Sequence, residues 1–498
     1  MSAEIIKETP AMSLPLYSAA QSRELDRRAI ATGTPGYALM QRAGEASFQF
    51  LRSHWPEATR IVVLVGRGNN GGDGYVLARL AWAQHLDVLL LTVGEHELLK
   101  GEVAEAASDA TRARVPEASW TGALPAADLY VDALFGTGLN RPPSGDFPAA
   151  IDALNASGKP VLALDIPSGL IADTGHAPGA VVQASATITF IALKAGLLTG
   201  RGPALTGPLQ LDTLGLPATL GHDICPLARQ LDASQLSGWL PRRPRDAHKG
   251  SHGHVLVVGG NHGMAGAVAL AGEAALRAGA GLVSVATRPE HLMMLNARRP
   301  ELMCHGISKA ADLAPLLARA DVIVLGPGLG QDAWAAALYG AVLDCGKPLV
   351  LDADGLNLLA QQPDSRSERI LTPHPGEAAR LLGTTTIAIQ TDRFAAVRSL
   401  QERFGGTAIL KGAGSLIATA DAIHLCPWGN PGMASGGMGD LLAGIIGALR
   451  AQGLGPDDAA CAGVMVHARA GDDAALVAGE RGLMASDLLP FLQQRVNP

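Results

Sequence analysis

The chain has 498 residues, a formal net charge of −7, 60 glycines and only 4% aromatic residues. This profile is typical of a glycine-rich α/β enzyme with more than one domain, and it excludes a disordered or fibrous chain. The mildly acidic balance, without a basic stripe, excludes a nucleic-acid surface. No apolar run approaches the roughly 18 residues that a membrane-spanning helix needs.

The N-terminal residues and the cysteines indicate the compartment. Residues 1–15 carry acidic residues and prolines but no apolar stretch, so we expect a loose arm and no secretory signal. The five cysteines are scattered and form no CxxC motif, which favours reduced thiols. We therefore expect a cytoplasmic protein.

A strand, a glycine-rich loop, a helix and a second strand open the first half of the chain. Short β-branched runs predict the strands, and apolar positions at helical spacing predict the helices. The predicted elements are helices over 18–31, 37–53 and 75–84, a loop over 66–74, and strands over 61–65, 88–93, 129–134, 160–164 and 186–190. This order is the opening of a doubly wound parallel sheet.

Polar residues follow three of these predicted strands at their C-terminal ends. Asn70, Asp132 and Ser168 lie in three different loops at the edge where open α/β sheets bind ligands. Three oxygen donors without His or Cys favour an alkali or alkaline-earth cation over zinc. Each residue alone could equally be a turn or capping residue, but the coincidence of three loops favours a site.

A second α/β half follows a change in composition. Residues 217–246 are rich in Pro and Arg and are predicted to be a linker, which places the domains at 1–225 and 226–498. Beyond this stretch the alternation of strands and loops restarts. The predicted elements are a helix over 267–278 and strands over 253–258, 282–286, 321–325, 348–351, 370–371, 407–410, 416–419 and 422–426.

The stretch GNPGMASGGMGDLLAG over 429–444 is a glycine-rich loop that runs onto an apolar helix. Glycines can turn several backbone N–H groups toward one point, and a helix N-terminus adds about half a positive charge, so this stretch predicts an anion hole. Asp440 at its mouth is then placed to act as a base on a hydroxyl or to hold a metal. The alternative is that Asp440 is an ordinary N-cap.

Three further loops of this half carry polar residues. Lys411–Ser415 follows a strand and can neutralise and cradle phosphate, although it lacks P-loop spacing and could be an ordinary β-turn. His374 is fenced by two prolines and is either structural or part of a site. For Asp352 and Asp354 we favour capping of the next helix over metal binding.

Motifs along the chain resemble one family, in that family's order. GRGNNGGDGYVLAR, DALFGTGLNRP and DIPSGL resemble the N-terminal epimerase domain of the bifunctional NAD(P)H-hydrate repair enzymes. HGHVLVVGG, GPGLG, DADGLN, LTPHPGE, KGAGS and NPGMASGGMGDLLAG resemble their C-terminal dehydratase domain. The resemblance covers almost the whole chain. It implies an α/β protein with an N-terminal Rossmann-like three-layer domain followed by a C-terminal ribokinase-like domain.

The family repairs nicotinamide cofactors that have added water across a ring double bond. The resemblance implies that the N-domain interconverts R and S NAD(P)HX. It implies that the C-domain dehydrates the S form at the expense of ADP, giving NAD(P)H, AMP and phosphate. The implied cofactors are a potassium ion in the N-domain and Mg²⁺ with ADP in the C-domain. We expect NADHX and NADPHX as small-molecule partners, no nucleic acid or membrane, and a homo-oligomer.

Matching the motifs carries the family's site residues onto this chain. The implied potassium ligands are Asn70, Asp132 and Ser168. The implied hydrate contacts of the first domain are Asn69, Asn70, Gly71, Gly72, Asp73, Gly136, Thr137, Gly138, Leu139, Asn140, Arg141, Pro142 and Asp165. Those of the second domain are Ala267, Gly328, His374 and Asp440. The implied ADP contacts are Lys411, Gly412, Ala413, Gly414, Ser415 and Gly439.

Catalytic roles follow from the chemistry of the ring hydroxyl. Phosphorylation turns a poor leaving group into a good one, which needs a base, Asp440, and stabilisation of the transferring phosphoryl group. Asp132 and Asp165 are the acid–base groups available for epimerisation, and the sequence does not say which one moves the proton. Two alternatives stay open: a small-molecule kinase with the same glycine motif, and a non-catalytic N-domain that only binds.

Overall fold

The computed structural model describes residues 13–94 and 99–498. The arm predicted over residues 1–15 lies outside the described residues up to residue 12. The described chain divides into two compact units, Pro15–Ala228 and Arg229–Pro498, each with its own buried core. None of the described helices combines the length and the apolar character needed to cross a membrane. That residues 1–225 and 226–498 are independent domains stays a prediction.

The N-terminal unit is built on a seven-stranded parallel sheet. The strands of the unit, including two outside this sheet, are β1 (Pro15–Tyr17), β2 (Arg60–Val65), β3 (Asp87–Thr92), β4 (Glu117–Ser119), β5 (Leu129–Ala133), β6 (Val161–Leu164), β7 (Ala186–Phe190), β8 (Leu193–Lys194) and β9 (Leu209–Asp212). Its helices are α1 (Ala19–Ala31), α2 (Gly36–His54), α3 (Asn69–Ala83), α4 (Gly101–Arg112), α5 (Phe147–Ala156) and α6 (Gly202–Leu205). The sheet order is β4-β3-β2-β5-β6-β7-β9, and β1 pairs with β8 apart from it.

This sheet is covered on both faces, as its near-continuous aliphatic strands require. Every residue of β5 and β6 is buried. Helices α2, α3 and α4 pack on the face that carries Val63, and α5 packs on the face that carries Leu64. The strand order reverses direction between β2 and β5, which places a ligand crevice at their C-terminal ends. The predicted three-layer, Rossmann-like architecture is confirmed.

The glycine-rich stretch after β2 becomes helical earlier than predicted. The predicted loop over 66–74 is wrong, because α3 already begins at Asn69, and no residue of this stretch has a positive φ. A Cβ on Gly71 would lie 1.9 Å from the carbonyl oxygen of Gly66. A Cβ on Gly74 would lie 2.6 Å from a side chain of β5. The glycines therefore allow the first turns of the helix to pack directly against the sheet.

The C-terminal unit carries a second, larger sheet. Its strands are β10 (Ala228–Gln230), β11 (His254–Val258), β12 (Leu282–Thr287), β13 (Met303–Gly306), β14 (Val322–Leu325), β15 (Leu349–Leu351), β16 (Arg369–Leu371), β17 (Thr407–Leu410), β18 (Ser415–Ala418) and β19 (Ile423–Cys426). Its helices are α7 (Gln235–Trp239), α8 (Ala265–Arg277), α9 (Leu292–Arg298), α10 (Ala314–Arg319), α11 (Ala333–Asp344), α12 (Ala353–Gln361), α13 (Pro375–Leu382), α14 (Thr386–Thr391), α15 (Arg393–Phe404), α16 (Met438–Ala451), α17 (Pro456–Ala478) and α18 (Leu489–Arg495).

The strand order of this unit is β13-β12-β11-β14-β15-β16-β17-β18-β19-β10. Strand β18 is antiparallel to both of its neighbours, and the other neighbouring strands are parallel. The predicted linker over 217–246 is wrong in part, because it contains β10 and α7. Strand β10 pairs with β19 along the sheet edge, and Leu231 and Leu236 are buried in the core.

Helices α8 and α16 pack tightly against each other and carry the glycine-rich loop to the sheet. A Cβ on Gly444 would lie 2.1 Å from the carbonyl oxygen of Ala271 in α8. A Cβ on Gly447 would lie 2.4 Å from the side chain of Val324 in β14. Helix α16 is therefore held against both its neighbouring helix and the sheet, which fixes the position of its first turn.

Candidate active sites

A cavity of about 780 Å³ lies in the N-terminal unit beside the loops that follow β2 and β5. Most of the predicted hydrate contacts line it, namely Asn69, Asn70, Asp73, Gly136, Thr137, Gly138, Leu139, Asn140, Arg141, Pro142 and Asp165. Gly71 and Gly72 do not line the cavity, since both are buried in the first turn of α3. Residues from distant parts of the sequence thus line one partly open, partly polar cavity.

The three predicted potassium ligands are joined through the backbone of Phe135. The Ser168 hydroxyl donates to Asp132 Oδ1 at 2.6 Å, and the Ser168 amide donates to Asp132 Oδ2 at 2.8 Å. Asn70 Nδ2 donates to the Phe135 carbonyl at 2.9 Å, and the Phe135 amide donates to Ser168 Oγ at 2.9 Å. Asn70 Oδ1 is buried and has no hydrogen-bond partner within residues 13–94 and 99–498. A buried acceptor without a donor fits a cation.

The two predicted acid–base carboxylates of this unit have different surroundings. Asp132 is fully buried and does not line the cavity, and burial raises its pKa to about 6. Asp165 lines the cavity and has a φ of +61°, a strained conformation for a residue other than glycine. The Asp165 carboxylate is therefore the one placed to meet a molecule in the cavity.

A buried lysine that sequence reasoning missed pairs with Asp165. Lys194 Nζ donates to Asp165 Oδ1 at 2.6 Å, to Thr189 Oγ1 at 3.0 Å and to the carbonyl of Phe190 at 2.7 Å. Its side chain is only 2% exposed, yet it lines the same cavity. Lys194 lies beyond the predicted strand over 186–190, and only the fold shows that this lysine is buried beside an acid.

Two further carboxyl groups line this cavity, Asp26 from α1 and Asp73 from α3. Burial raises the pKa of Asp26, with Lys194 opposing the rise. Burial also raises the pKa of Asp73 well above its ordinary value, and the charges of Asp165 and Asp26 raise it further. Asp73 was among the predicted hydrate contacts, whereas Asp26 was not predicted.

In the C-terminal unit, Asp440 stands among charged side chains that come from separate loops. Burial raises the pKa of Asp440 to about 7, the carboxylates of Asp352, Asp354 and Glu377 raise it further, and Lys411 lowers it. Lys411 Nζ lies 2.8 Å from Asp352 Oδ1 and 3.8 Å from Glu377 Oε2. At neutral pH a fraction of Asp440 is therefore ionised and able to accept a proton.

The first turn of α16 has the backbone geometry that the predicted anion hole requires. Gly437, with a φ of +90°, is the N-cap and Asp440 is the third helical residue, so the interpretation of Asp440 as an N-cap is wrong. The amides of Met438, Gly439 and Asp440 have no acceptor within the described chain. A Cβ on Gly439 would lie 3.1 Å from Lys411 Nζ. Free amides, the helix dipole and an ammonium group thus meet at one point.

The predicted phosphate loop Lys411–Ser415 is the turn between β17 and β18. Gly412 and Gly414 have φ values of +140° and +61°, which glycine adopts at no steric cost. The Gly412 amide donates to Ser415 Oγ at 3.3 Å. The stretch thus connects the antiparallel strands β17 and β18, and Lys411 at its start belongs to the charged cluster around Asp440.

His374 is the N-cap of α13. Its Nδ1 accepts from the amide of Gly376 at 3.0 Å, and the Glu377 carboxylate accepts from the amide of His374 at 2.8 Å. In the neutral imidazole the proton is therefore on Nε2, since Nδ1 is used as an acceptor. The side chain is 57% exposed, so Nε2 is available to donate to a bound molecule.

Asp352 and Asp354 do not cap α12 with their side chains, which corrects the preference for capping. Asp352 Oδ1 instead accepts from Thr372 Oγ1 at 2.7 Å and from Lys411, because the buried ammonium group needs a partner. Asp354 Oδ2 accepts from the amide of Gly330 at 2.8 Å. Both carboxylates therefore tie neighbouring loops to the site.

The remaining predicted hydrate contacts, Ala267 and Gly328, lie next to each other. Gly328 has a φ of +56°, and a Cβ on it would lie 3.1 Å from Ala267 Cβ. The amide of Asn261 donates to the Gly328 carbonyl at 2.7 Å. The loops after β11 and β14 therefore pack against each other at these two positions. Asp354 also binds the loop after β14, through the amide of Gly330.

These features define a two-part α/β enzyme whose second unit is ribokinase-like. That unit is similar to a ribokinase-like superfamily protein of known structure from Enterococcus faecalis, with a TM-score of 0.51 and 31% identity, covering 54% of this chain and 96% of that one. Residues 255–494 match the family model described as NAD(P)H-hydrate dehydratase. Residues 36–196 match the one described as YjeF-related protein N-terminus.

Whole-chain relatives agree with both matches. The bifunctional NAD(P)H-hydrate repair enzyme Nnr of Coxiella burnetii is 50% identical over 485 residues, which cover 97% of this chain and 99% of that protein. The enzyme of the same name from Escherichia coli is 50% identical over 468 residues, which cover 93% and 90%. The chain belongs to the family of bifunctional NAD(P)H-hydrate repair enzymes, and the predicted family is confirmed.

Proposed function

We propose that this chain is an isomerase and a lyase that together restore hydrated nicotinamide cofactors. The N-terminal unit interconverts R and S NAD(P)HX, and the C-terminal unit converts S-NAD(P)HX and ADP into NAD(P)H, AMP and phosphate. The observation that carries this proposal is identity of 50% across nearly the full length of a repair enzyme, together with both sites. The kinase and the purely binding alternatives each leave one of the two sites without a role.

In the C-terminal unit Asp440 is the base for phosphoryl transfer. Its carboxylate accepts the proton of the ring hydroxyl, whose oxygen attacks the terminal phosphorus of ADP, and AMP leaves with the bonding electron pair. The free amides of the α16 first turn and Lys411 stabilise the charge on the transferring group. The ring nitrogen lone pair then expels phosphate, and loss of a proton from the neighbouring carbon restores the double bond.

The other assignments of this unit follow the motif matches. ADP contacts Lys411, Gly412, Ala413, Gly414, Ser415 and Gly439, and the hydrate contacts Ala267, Gly328, His374 and Asp440. Magnesium enters with the nucleotide as part of the co-substrate. The excess of carboxylates over the single Lys411 in the described cluster favours this, because a divalent cation offsets their charge.

In the N-terminal unit Asn70, Asp132 and Ser168 hold a potassium ion. The unpartnered Asn70 Oδ1 and the buried Asp132 carboxylate support this proposal, since both are buried oxygen atoms of the kind that bind a hard cation. A bound cation supplies positive charge that keeps Asp132 ionised. These three residues position the loops after β5 and β6, which carry Gly136–Pro142 and Asp165 to the cavity.

For epimerisation we assign proton transfer to Asp165 and not to Asp132. Asp165 lines the cavity, where its Oδ1 accepts a hydrogen bond from Lys194 Nζ at 2.6 Å. Asp132 does not line the cavity. The hydrate lies against Asn69–Asp73 on one side and Gly136–Pro142 on the other.

The test is repair of a mixture of R and S hydrates by the full chain. With ADP and potassium, both epimers should be converted and the absorbance of the reduced nicotinamide should recover completely. Without ADP, the epimer ratio should equilibrate with no gain in absorbance. Recovery of only the S fraction would contradict the epimerase assignment. A stable phosphorylated product in place of free phosphate would favour the kinase alternative.

A further inference from the structure

The cavity of the N-terminal unit holds more carboxyl groups than its buried lysine can neutralise. Lys194 is committed to Asp165 through a 2.6 Å ion pair. Asp26 and Asp73 also line the cavity, and the side chain of neither makes a hydrogen bond or an ion pair with any described residue. Burying an ionised carboxyl group without a partner costs free energy of folding. Such a group is therefore expected to be neutral or to take part in binding or catalysis.

The charged groups around these two carboxyls come from several elements. Those that line the same cavity are Arg23, Asp26, Arg67, Asp73, Glu102, Arg141, Asp165 and Lys194. The positive charges of Lys194 and Arg23 lower the pKa of Asp26, and the negative charge of Asp165 raises it. The negative charges of Asp165 and Asp26 raise the pKa of Asp73, and Lys194 lowers it. Burial and two like charges therefore both oppose ionisation of Asp73.

We propose that Asp73 is the proton donor of the epimerase site and that Asp26 is the residue that keeps Asp73 protonated. Asp165, paired with Lys194 in the same cavity, is the proton acceptor, so the cavity holds an acid and a base. Two carboxyl groups in different surroundings, one paired with a lysine and one without a partner, are a usual arrangement for acid–base chemistry. This inference rests on the proposed function of the N-terminal unit.

The chemistry needs such a donor. The Asp73 proton passes to the ring hydroxyl oxygen, the C–O bond breaks with its electron pair on that oxygen, and water leaves. The ring nitrogen lone pair forms the C=N bond of the resulting cation. Water then adds to the opposite face and, as the new C–O bond forms, passes a proton to the Asp165 carboxylate; proton exchange with solvent returns Asp73 and Asp165 to their starting states. Atoms and charge balance, and the product is the other epimer.

The experiment measures epimerisation by the full chain, without ADP, as a function of pH. In the wild type the rate should fall as pH rises and Asp73 loses its proton. Asp26→Asn removes a negative charge next to Asp73, so this fall should move to lower pH. Asp73→Asn should lower the rate by about 10²–10⁴-fold, the usual contribution of a positioned acid, with Asp73→Glu restoring part of it.

Glu24→Gln is the matched control on α1, because Glu24 pairs with Arg27 and Arg28 and does not line the cavity. Its pH profile should equal that of the wild type. Dehydration of pure S-hydrate with ADP should be the same in all four variants, which shows that each is folded. A second readout needs no activity: the infrared carbonyl band of a neutral carboxyl at pH 7 should be present in the wild type and reduced in Asp73→Asn.

The outcomes separate the two proposals. An unshifted pH profile in Asp26→Asn, or an unchanged carbonyl band in Asp73→Asn, would overturn this inference while leaving the epimerase assignment intact. Absence of any epimerisation by the wild type would overturn the proposed function of the N-terminal unit, and the proton donor with it. Incorporation of labelled oxygen from water during epimerisation should accompany a positive result, because the C–O bond is broken.

Discussion

The role proposed for Asp440 follows from its position in a helix. It lies in the first turn of α16, beside the free amides, and it is not the capping residue. Burial and three neighbouring acids hold its pKa at about 7, in the range where a base works best at neutral pH. The residue is therefore suited to take a proton from a hydroxyl and release it afterwards.

We expect Asp440→Asn to lower dehydration turnover by at least about 100-fold, since a general base contributes about 10²–10⁴-fold. Nucleotide affinity should change little, because the anion hole consists of backbone amides. Steady-state dehydration of S-hydrate and equilibrium ADP binding test the two parts. Epimerisation serves as the internal control and should be unaffected. Turnover near that of the wild type would contradict the role of Asp440 as the base.

At this scale the sequence was informative where a motif carries the chemistry. Asp440, His374 and Lys411 stand next to glycines or prolines that mark loops, and the structure brings Lys411 to Asp440. It was uninformative for Asp26, which lies within an ordinary helix pattern, and for Lys194, which follows the predicted strand over 186–190. Their importance comes from burial and from the partners that the tertiary fold supplies, and neither property is written in local spacing.

Among the elements, the turn after β17 and the start of α16 depend on a close approach at Gly439. A side chain there would contact Lys411 Nζ at 3.1 Å and Asp352 Oδ2 at 3.2 Å. We expect Gly439→Ala to displace the ammonium group and weaken ADP binding about tenfold, the effect of losing one charge-assisted hydrogen bond. Gly340→Ala in α11 is the matched control, because a Cβ there meets nothing within 4 Å.

These two variants are compared by equilibrium ADP titration and by thermal unfolding. The control should match the wild type in affinity, since its new methyl group is in open space. Equal affinities in both variants would show that the contact between α16 and Lys411 does not matter for nucleotide binding.

The ends of β5 and β6 are joined by Asp132, which accepts three hydrogen bonds from Ser168 and the amide of Leu134. We expect Asp132→Ala to weaken the potassium dependence and the rate of epimerisation, because both a cation ligand and this connection are lost. Dehydration of S-hydrate should stay intact. Rates measured over a range of potassium concentrations test this, and equal loss of both activities would contradict the site assignment.

The element boundaries that the sequence missed have identifiable physical causes. The first turn of α3 was assigned to a loop because glycines usually indicate turns, whereas here they allow contact with the sheet. Strand β13 has the sequence MCHG, without a β-branched residue, and is stabilised by pairing with β12. Strand β10 was placed in a linker for the same reason, since only its pairing with β19 defines it. The central strands, with their aliphatic runs, were predicted within one or two residues.

For the whole molecule, the two cores predict separable activities. We expect fragments 1–227 and 228–498, divided just before β10, to fold separately, since each keeps its own sheet and core. The first should equilibrate the two epimers, and the second should dehydrate only the S form with ADP. Circular dichroism and the two assays test this. Failure of both fragments to fold would contradict independent domains. That the full chain forms a homo-oligomer stays a prediction.

The unpartnered Asp73 has a consequence for the stability of the N-terminal unit. An aspartate in the unfolded chain has a pKa near 3.9, whereas burial raises that of Asp73 when folded. Below the unfolded value both states are protonated, and as pH rises above it the unfolded state loses its proton first. The free energy of unfolding therefore falls with increasing pH until the folded carboxyl also ionises.

Asp73→Asn should accordingly raise the melting temperature of this unit at pH 7 and above. The difference from the wild type should disappear below about pH 4, where both side chains are neutral. Calorimetry at several pH values measures it, and a variant that is destabilised at pH 8 would contradict the burial of an unpaired acid. The carboxyl group of Asp73 therefore lowers the stability of the N-terminal unit at neutral pH. If variants are selected for thermostability alone, replacement of Asp73 should be among the first substitutions to appear.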